Sequence, residues 1–272
     1  VRLYPGDNLY DMFLTLFGKV FGRVFVALFT WYTFHLGVLV IRNFSEYLHV
    51  VALTDTPQFP MVMLIVIISV WSIRSGIEIM GKYALLAAPT LIFVLLLVTA
   101  LVFPEMQFSN LLPAFDHSIA EIGMGALETF AFPFAETVVF LCVFDSLKTN
   151  ASPYRVLFVG ALVLGGGILM IATVRNISVL GFPLLSTLSF PTHTTARIIA
   201  IGDFFSRFEI LISANFILSG FIKSCVCLLA AVKGLACLFG VKDDKKLVLP
   251  VGLMAMAVTG IIYSGFGEMV EW

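Results

Sequence analysis

Residues 83–103 read YALLAAPTLIFVLLLVTALVF, a run of 21 residues without a charged side chain. The hydrocarbon core of a bilayer is about 30 Å thick, and an α-helix rises about 1.5 Å per residue. Roughly 20 apolar residues are therefore needed to cross it. The run meets this requirement, so it predicts a helix that spans a membrane.

The composition of the whole chain indicates the same class of protein. Of the 272 residues, 60% are hydrophobic and 12% are charged, and the mean hydropathy is +1.04. A soluble domain carries about 25% charged residues because water must wet its surface. Much of this surface must therefore face a lipid bilayer. The net charge of −1 argues against a nucleic-acid partner.

Seven stretches are apolar enough to be spans, and together they predict a single all-α transmembrane domain over residues 1–272. The stretches are residues 20–41, 60–77, 83–103, 119–144, 154–174, 208–232 and 247–263. Lys and Arg residues are concentrated in alternate connecting segments, and the richer side is expected to be cytoplasmic. The first of these spans would then run from inside to outside.

The fourth span contains GMGALETFAFPFAE, residues 123–136, in which a proline lies between two acids. Pro133 has no N–H and clashes with the carbonyl four residues earlier, so it frees backbone groups inside the membrane. Those groups and the carboxylates of Glu128 and Glu136 are costly against lipid, so they must face protein or a wet cavity. Transporters hold substrates and ions at broken helices of this kind, and we favour that interpretation over a simple proline kink.

Lys223 lies deep in the sixth span, which is predicted to run in the same direction as the fourth. Glu136 and Lys223 should therefore lie at similar depth, and we predict that they pair or share one polar network. The alternative is that the long Lys223 side chain reaches the cytoplasmic interface.

Other polar residues inside the spans leave two interpretations open. His35, with Tyr32 nearby, could relay protons because imidazole titrates near neutral pH, but such a histidine more often bonds a neighbouring helix. Asn215 could line a cavity or join two helices. The four cysteines lie in or at the end of apolar runs without metal-ligand spacing, so we expect no metal and no cofactor.

The long outer loop, residues 175–207, carries apolar residues at helical spacing with charges between them. Residues 192–208 are expected to form a short amphipathic helix, which is either a lid over a central cavity or a surface cover. The sequence has no nucleophile elbow and no kinase-type loop, so we expect no catalytic residues and no enzyme activity.

Several short stretches follow one another along essentially the whole chain in a specific order. They are Tyr4-Pro-Gly6, Arg42-Asn-Phe-Ser-Glu-Tyr47, Ser109-Asn-Leu-Leu-Pro113, Phe132-Pro-Phe-Ala-Glu136, Phe190-Pro-Thr192, Ile201-Gly-Asp203, Arg207-Phe-Glu209, Phe221-Ile-Lys223, Leu238-Phe-Gly240 and Leu249-Pro-Val-Gly252. As an ordered set they resemble the endospore germination permeases, the B subunits of nutrient germinant receptors.

The resemblance implies the fold of amino-acid/polyamine/organocation transporters, a LeuT-like arrangement of ten spans in two inverted repeats. The seven predicted spans would be the third to the ninth, and the broken span would be the sixth. The first, second and tenth spans would then be missing. This agrees with a chain that begins at Val1 without a methionine and stops at Trp272 just past a span, which we interpret as a fragment.

The resemblance also implies a sensor in the spore inner membrane that binds a small nutrient, such as an amino acid, and signals with A and C partner subunits. The expected ligand-binding residues are Glu128, Thr129, Phe132, Pro133, Phe134, Glu136, Tyr32 and Asn215. Glu136, Lys223 and His35 would form a coupling or structural polar network. Two alternatives stay open on the same scaffold, an ion- or proton-coupled amino-acid transporter and a channel that conducts water or ions.

Overall fold

A computed structural model describes residues 6–51, 53, 55–113, 116, 118–146, 154–199, 209–263 and 268. Regular structure in these residues is helical throughout, and no β-strand occurs among them. The α-helices are α1 (Leu9–Val51), α2 (Gln58–Ser75), α3 (Ile77–Val102), α4 (Ile119–Thr129), α5 (Tyr154–Leu180), α6 (Phe182–Leu185), α7 (Pro191–Arg197), α8 (Glu209–Phe239) and α9 (Lys245–Thr259). The other helical segments are the 3₁₀ turns Phe103–Glu105 and Phe108–Leu111, the π-helical turn Phe130–Phe134 and the 3₁₀ helix Ala135–Ser146.

Six helical segments within the described residues are long and apolar enough to cross a membrane. They are Leu9–Val51, Gln58–Ser75, Ile77–Glu105, Ile119–Asp145, Val156–Leu180 and Ile210–Phe239. These segments overlap the first six predicted spans, and the prediction of an all-α membrane protein is confirmed. The seventh predicted span coincides with α9, whose 15 residues are fewer than the roughly 20 that a bilayer requires. A seventh crossing therefore remains a prediction.

Helix α1 turns back on itself near its beginning. Gly18 has φ 72° and ψ 179°, a conformation that glycine adopts without steric cost. The rings of Phe17 and Phe25 lie 4.6 Å apart, and those of Phe13 and Phe29 lie 5.9 Å apart. A straight helix would separate the second pair by about 24 Å. The residues before Gly18 therefore pack antiparallel to those after it, and the first predicted span begins just past this turn.

The described residues fall into two compact units, and the first contains those within Val1–Leu85, Thr137–Asn150 and Leu218–Trp272. Its core forms where α1, α2, α9 and the later part of α8 pack together, with Val38 and Leu228 among the fully buried side chains. A Cβ at Gly37 of α1 would lie 3.2 Å from the Leu228 side chain. The glycine therefore allows α1 and α8 to approach closely.

The second unit contains the described residues within Leu86–Glu136 and Ala151–Ile217. Helix α5 contacts the Phe108–Leu111 turn, α6 and α7, yet its large apolar side chains, such as Met170, are exposed. Such a surface is suited to lipid rather than to water. One cluster of buried apolar residues in the unit comes from α3, α8 and the region of α7: Val94, Val98, Val102, Ala196, Ile199 and Ile212.

Helix α7 occupies the start of the predicted amphipathic helix at residues 192–208. Thr195 and Ala196 are buried, whereas Arg197 and Ile198 are exposed, so an amphipathic helix with Ile198 on its apolar face remains a prediction. Residues 200–208 lie outside the described part of the chain, and the remainder of that helix stays a prediction.

Candidate functional site

The fourth candidate span is interrupted at its proline. Helix α4 begins with a capping box in which Ser118 and Glu121 satisfy each other's backbone N–H groups, and it ends at Thr129. In the π-helical turn that follows, Phe132 has φ −134° and ψ 119°. This is extended backbone, which is the conformation that a residue before proline favours. The helix is therefore broken at the position that the sequence indicates.

The break also changes the backbone hydrogen bonding. Pro133 has no N–H to donate to the carbonyl of Thr129, four residues earlier. The N–H of Ala135 instead bonds to the carbonyl of Phe130, five residues earlier. The break therefore replaces the regular four-residue hydrogen-bond spacing of the helix with a five-residue spacing.

The two phenylalanines beside the proline have different surroundings. Phe132 is 63% exposed, whereas Phe134 is half-buried and packs against α5. A Cβ at Gly166 would lie 3.4 Å from Cζ of Phe134. The glycine run of α5 therefore accommodates this ring, which forms an apolar wall next to the break.

The polar side chains predicted in this span differ in burial. Glu128 and Thr129 are exposed, whereas Glu136 is half-buried at the start of the 3₁₀ helix. The hydroxyl of Thr129 donates to the carbonyl of Gly125 at 2.9 Å, within its own helix. Among the three, only Glu136 is half-buried.

Asn215 links two helices of the second unit. Its Nδ2 donates to the carbonyl of Leu91 in α3 at 3.1 Å. This is the interhelical role, one of the two that the sequence leaves open for Asn215. A ligand-binding role for the same side chain remains a prediction.

Tyr32, His35 and Lys223 belong to the first unit, where they are half-buried. The His35 ring stacks on Trp31, with ring centroids 5.7 Å apart and planes inclined by 24°. The predicted pairing of Lys223 with Glu136 joins residues of different units, and it remains a prediction.

A buried cluster near the end of α1 was not predicted as a polar site. Arg42 lies 3.7 Å from Glu46, and its guanidinium also lies over the Tyr263 ring at 5.0 Å. The Glu46 carboxylate accepts a 2.8 Å hydrogen bond from Gln58 of α2. The spacing of Arg42 and Glu46, four residues apart in a helix, was the signal in the sequence.

A second ionic cluster of the first unit joins distant parts of the chain. Lys233 of α8 forms an ion pair with Asp145, and Asn8 Nδ2 donates to the same carboxylate at 3.4 Å. Asn8 also caps α1, because its Oδ1 accepts from the Tyr10 N–H at 2.9 Å. The cluster therefore fixes the start of the α1 hairpin.

A third unpredicted cluster lies in the second unit around Arg175, which is fully buried. Its guanidinium donates to Asn176 and Thr99, and Asn176 in turn bonds to two threonines of α7. The sequence placed Arg175 in a loop because it follows a long apolar run. Helix α5 instead continues through it to Leu180.

The cysteines and acids form no metal site in the described part of the chain. All four cysteines are free thiols, and Cys142, Cys225 and Cys227 are buried. No group of three or more His, Cys, Asp or Glu side chains that could hold a metal ion occurs among the described residues.

Known proteins resemble this chain over nearly its full length. The family profile described as "Spore germination protein" matches residues 1–264. Spore germination protein KB of Bacillus subtilis (strain 168) is 27% identical over 98% of this chain and 72% of its own length. Putative spore germination protein YfkT of the same organism is also 27% identical, over 100% of this chain and 74% of its own length. No solved structure matches the chain.

Proposed function

Because this chain belongs to the spore germination permease family, we propose that it is a permease-like subunit of a germinant receptor that binds a small nutrient at its broken helix. The nutrient class that we propose is an amino acid or a similar small zwitterion. The observation that carries the proposal is the break at Phe132 and Pro133 inside a segment long enough to cross the membrane.

Family and structure agree on where the protein acts. The six apolar segments of the described residues and the family assignment make it an integral membrane protein of the spore inner membrane. The family consists of permeases or receptor subunits and is not a known enzyme class. The functions to be distinguished are therefore ligand binding and ligand transport.

The residues at the break supply complementary chemistry for a zwitterion. Backbone carbonyls at the break would accept hydrogen bonds from an ammonium group, and Glu136 would add a negative charge. Phe134, supported by Gly166, would contact the apolar part of the ligand. Binding would favour one arrangement of the helices, and the A and C partner subunits would respond to that shift.

The proposal also includes the arrangement of the membrane spans. We assign the spans to a LeuT-like inverted-repeat arrangement, with the broken helix as its sixth span and the neighbouring spans numbered from the third to the ninth. The break at mid-segment supports this assignment, because discontinuous helices form the binding sites of that class.

Nutrient-triggered germination of spores tests the function. Glu136→Gln and Pro133→Ala should each raise the nutrient concentration for half-maximal germination at least tenfold, with normal amounts of inserted protein. Glu105→Gln is the matched control, because Glu105 is exposed in a 3₁₀ turn outside the break. If both test variants respond like wild type to every nutrient, the break is only a kink and the proposal fails.

An ion-coupled transporter is the second candidate, and the half-buried Glu136 is the observation that favours it. In that case Glu136 would carry the coupling proton or bind the coupling ion. Sustained uptake of radiolabelled amino acid into proteoliposomes, lost in Glu136→Gln, would establish transport. Saturable binding without uptake would establish the sensor, and ionic current without a nutrient requirement would establish a channel.

A further inference from the structure

Arg175 belongs to the second unit and is fully buried, with 0% of the residue exposed. Its Nε and Nη2 donate to Oδ1 of Asn176 at 3.2 and 3.0 Å, and its Nη1 donates to Oγ1 of Thr99 at 3.3 Å. A guanidinium carries five N–H groups. The hydrogen bonds within the described residues therefore leave part of its donor capacity available.

The side chains that accept hydrogen bonds from the guanidinium within the described residues are neutral. Asn176 Nδ2 donates to Thr192 Oγ1 at 2.9 Å, and Thr195 Oγ1 donates to Asn176 Oδ1 at 3.2 Å. Among the described residues, no carboxylate forms an ion pair with Arg175. A buried charge without a counter-charge is strongly unfavourable, so an anion beside the guanidinium would stabilise the native protein.

Ser178 gives a second, independent indication. It is fully buried, and its Oγ has no hydrogen-bond partner among the described residues. Ser178 lies three residues after Arg175 in α5, so the two side chains share one face of the helix. Its carbonyl accepts from the Gln107 N–H at 2.9 Å and from Asn110 Nδ2 at 3.1 Å. The segment after α3 thus packs against α5 at Ser178.

We propose that Arg175 and Ser178 form a binding site for a small monocarboxylate, closed by α7 and the segment after α3. The carboxylate accepts hydrogen bonds from the free guanidinium N–H groups and from the Ser178 hydroxyl. Thr192 and Thr195 hold α7 against Asn176 and so complete the enclosure.

The chemistry of the site selects the class of ligand. The guanidinium fork matches the two oxygens of a carboxylate, and one positive charge is neutralised by one negative charge. A divalent anion such as sulfate would leave a buried excess charge. The enclosed position, with no exposed part of Arg175, excludes a bulky occupant. This assignment does not depend on the role of the broken helix.

Thermal unfolding of the purified full chain in detergent tests the site, with tryptophan fluorescence as the signal. Propionate is the probe, titrated to about 50 mM at constant ionic strength against sulfate. We expect propionate to raise the Tm of the wild type by at least about 3 °C, because a ligand that binds only the native state stabilises it. Sulfate should give no comparable shift.

Variants separate binding from a structural role. Arg175→Met should fold, because an apolar residue replaces a buried charge without its partner, and should lose the propionate shift. Ser178→Ala should leave the Tm without propionate unchanged or higher, yet weaken propionate binding at least threefold. Arg197→Met is the matched control, because Arg197 is exposed on α7, and it should respond like the wild type.

The following results would overturn the assignment. The first is a wild type that propionate does not stabilise, and the second is an Arg175→Met variant that responds normally. If Arg175→Met does not fold, an unchanged propionate affinity in Ser178→Ala overturns it instead. Glu136→Gln should keep the full rise in Tm with propionate. Failure of the carboxylate-site proposal can therefore be distinguished from failure of the proposed function, which the germination experiment tests.

Discussion

The ring of Phe134 lies against the backbone of Gly166, where a Cβ would be 3.4 Å from the ring's Cζ. Phe134 follows the proline of the broken helix directly, so the backbone of α5 supports one wall of the break. The neighbouring Gly165 and Gly167 have nothing within 4 Å of a Cβ. The close contact therefore depends on one glycine of the run, and a larger side chain at that position must displace the ring.

Gly166→Leu should impair the response to nutrient without preventing insertion. Alanine at this position meets the Phe134 ring at an ordinary van der Waals distance, whereas the longer leucine side chain cannot fit beside it. Overpacking of this kind costs about 1–3 kcal/mol, or it moves the ring. We expect at least a tenfold increase in the nutrient concentration for half-maximal germination, and less than a threefold increase for Gly166→Ala.

Gly165→Leu is the matched control for this prediction, because Gly165 is exposed on the same helix. It should germinate like the wild type with equal amounts of protein in the membrane. Equal impairment by Gly165→Leu and Gly166→Leu would mean that α5 is sensitive to any bulky residue, and the specific support of Phe134 would be refuted.

The broken helix was predictable because its cause is local. A proline lacks the N–H and restricts the residue before it, so the sequence around Pro133 is enough to place the interruption. The extended conformation of Phe132 follows from the same rule. Six of the predicted spans could be predicted for the same reason, since length and hydropathy are properties of consecutive residues.

The features that the sequence did not predict depend on contacts between distant residues. The buried Arg175 donates a hydrogen bond to Thr99, which is 76 positions away in the sequence. Nothing in the apolar run before Arg175 reveals that α5 continues past it. The reversal at Gly18 likewise depends on a positive φ and on aromatic packing across the turn. A single glycine in an apolar stretch does not distinguish such a turn from a continuous helix.

Gly234→Val should destabilise the first unit at the α1 hairpin. A Cβ at Gly234 would collide with Oγ1 of Thr30 and would lie 2.9 Å from Cζ of Tyr10. Tyr10 is held in place by its hydroxyl, which donates to the Ala230 carbonyl at 2.9 Å. The free energy of unfolding should fall by about 1–3 kcal/mol, which would be measured as a lower Tm in detergent.

The exposed Gly160 provides the control for Gly234→Val, because nothing lies within 4 Å of a Cβ there. Gly160→Val should leave the Tm within about 1 °C of the wild type. A Gly234→Val protein as stable as the wild type would show that the hairpin is not packed against α8 as described.

The ion pair between Lys233 and Asp145 should make a modest, salt-dependent contribution to the free energy of unfolding. The side chains are 13% and 29% exposed, respectively, so water screens the attraction only partly. A double-mutant cycle with Lys233→Met and Asp145→Asn should give a coupling free energy of about 1 kcal/mol in low salt. The coupling should fall by at least half in 1 M NaCl, because the Debye length is then about 3 Å. A coupling near zero in low salt would contradict the pairing.

Asn215→Leu separates the interhelical role of Asn215 from a role in ligand binding. The variant loses the hydrogen bond to Leu91, and such bonds in membranes contribute about 0.6 kcal/mol on average. The interhelical role predicts a small decrease in Tm and an unchanged nutrient concentration for half-maximal germination. Thr90→Val is the control, because Thr90 is exposed and its hydroxyl donates to the Leu86 carbonyl within α3. A normal Tm combined with a tenfold weaker nutrient response would instead place Asn215 at the ligand.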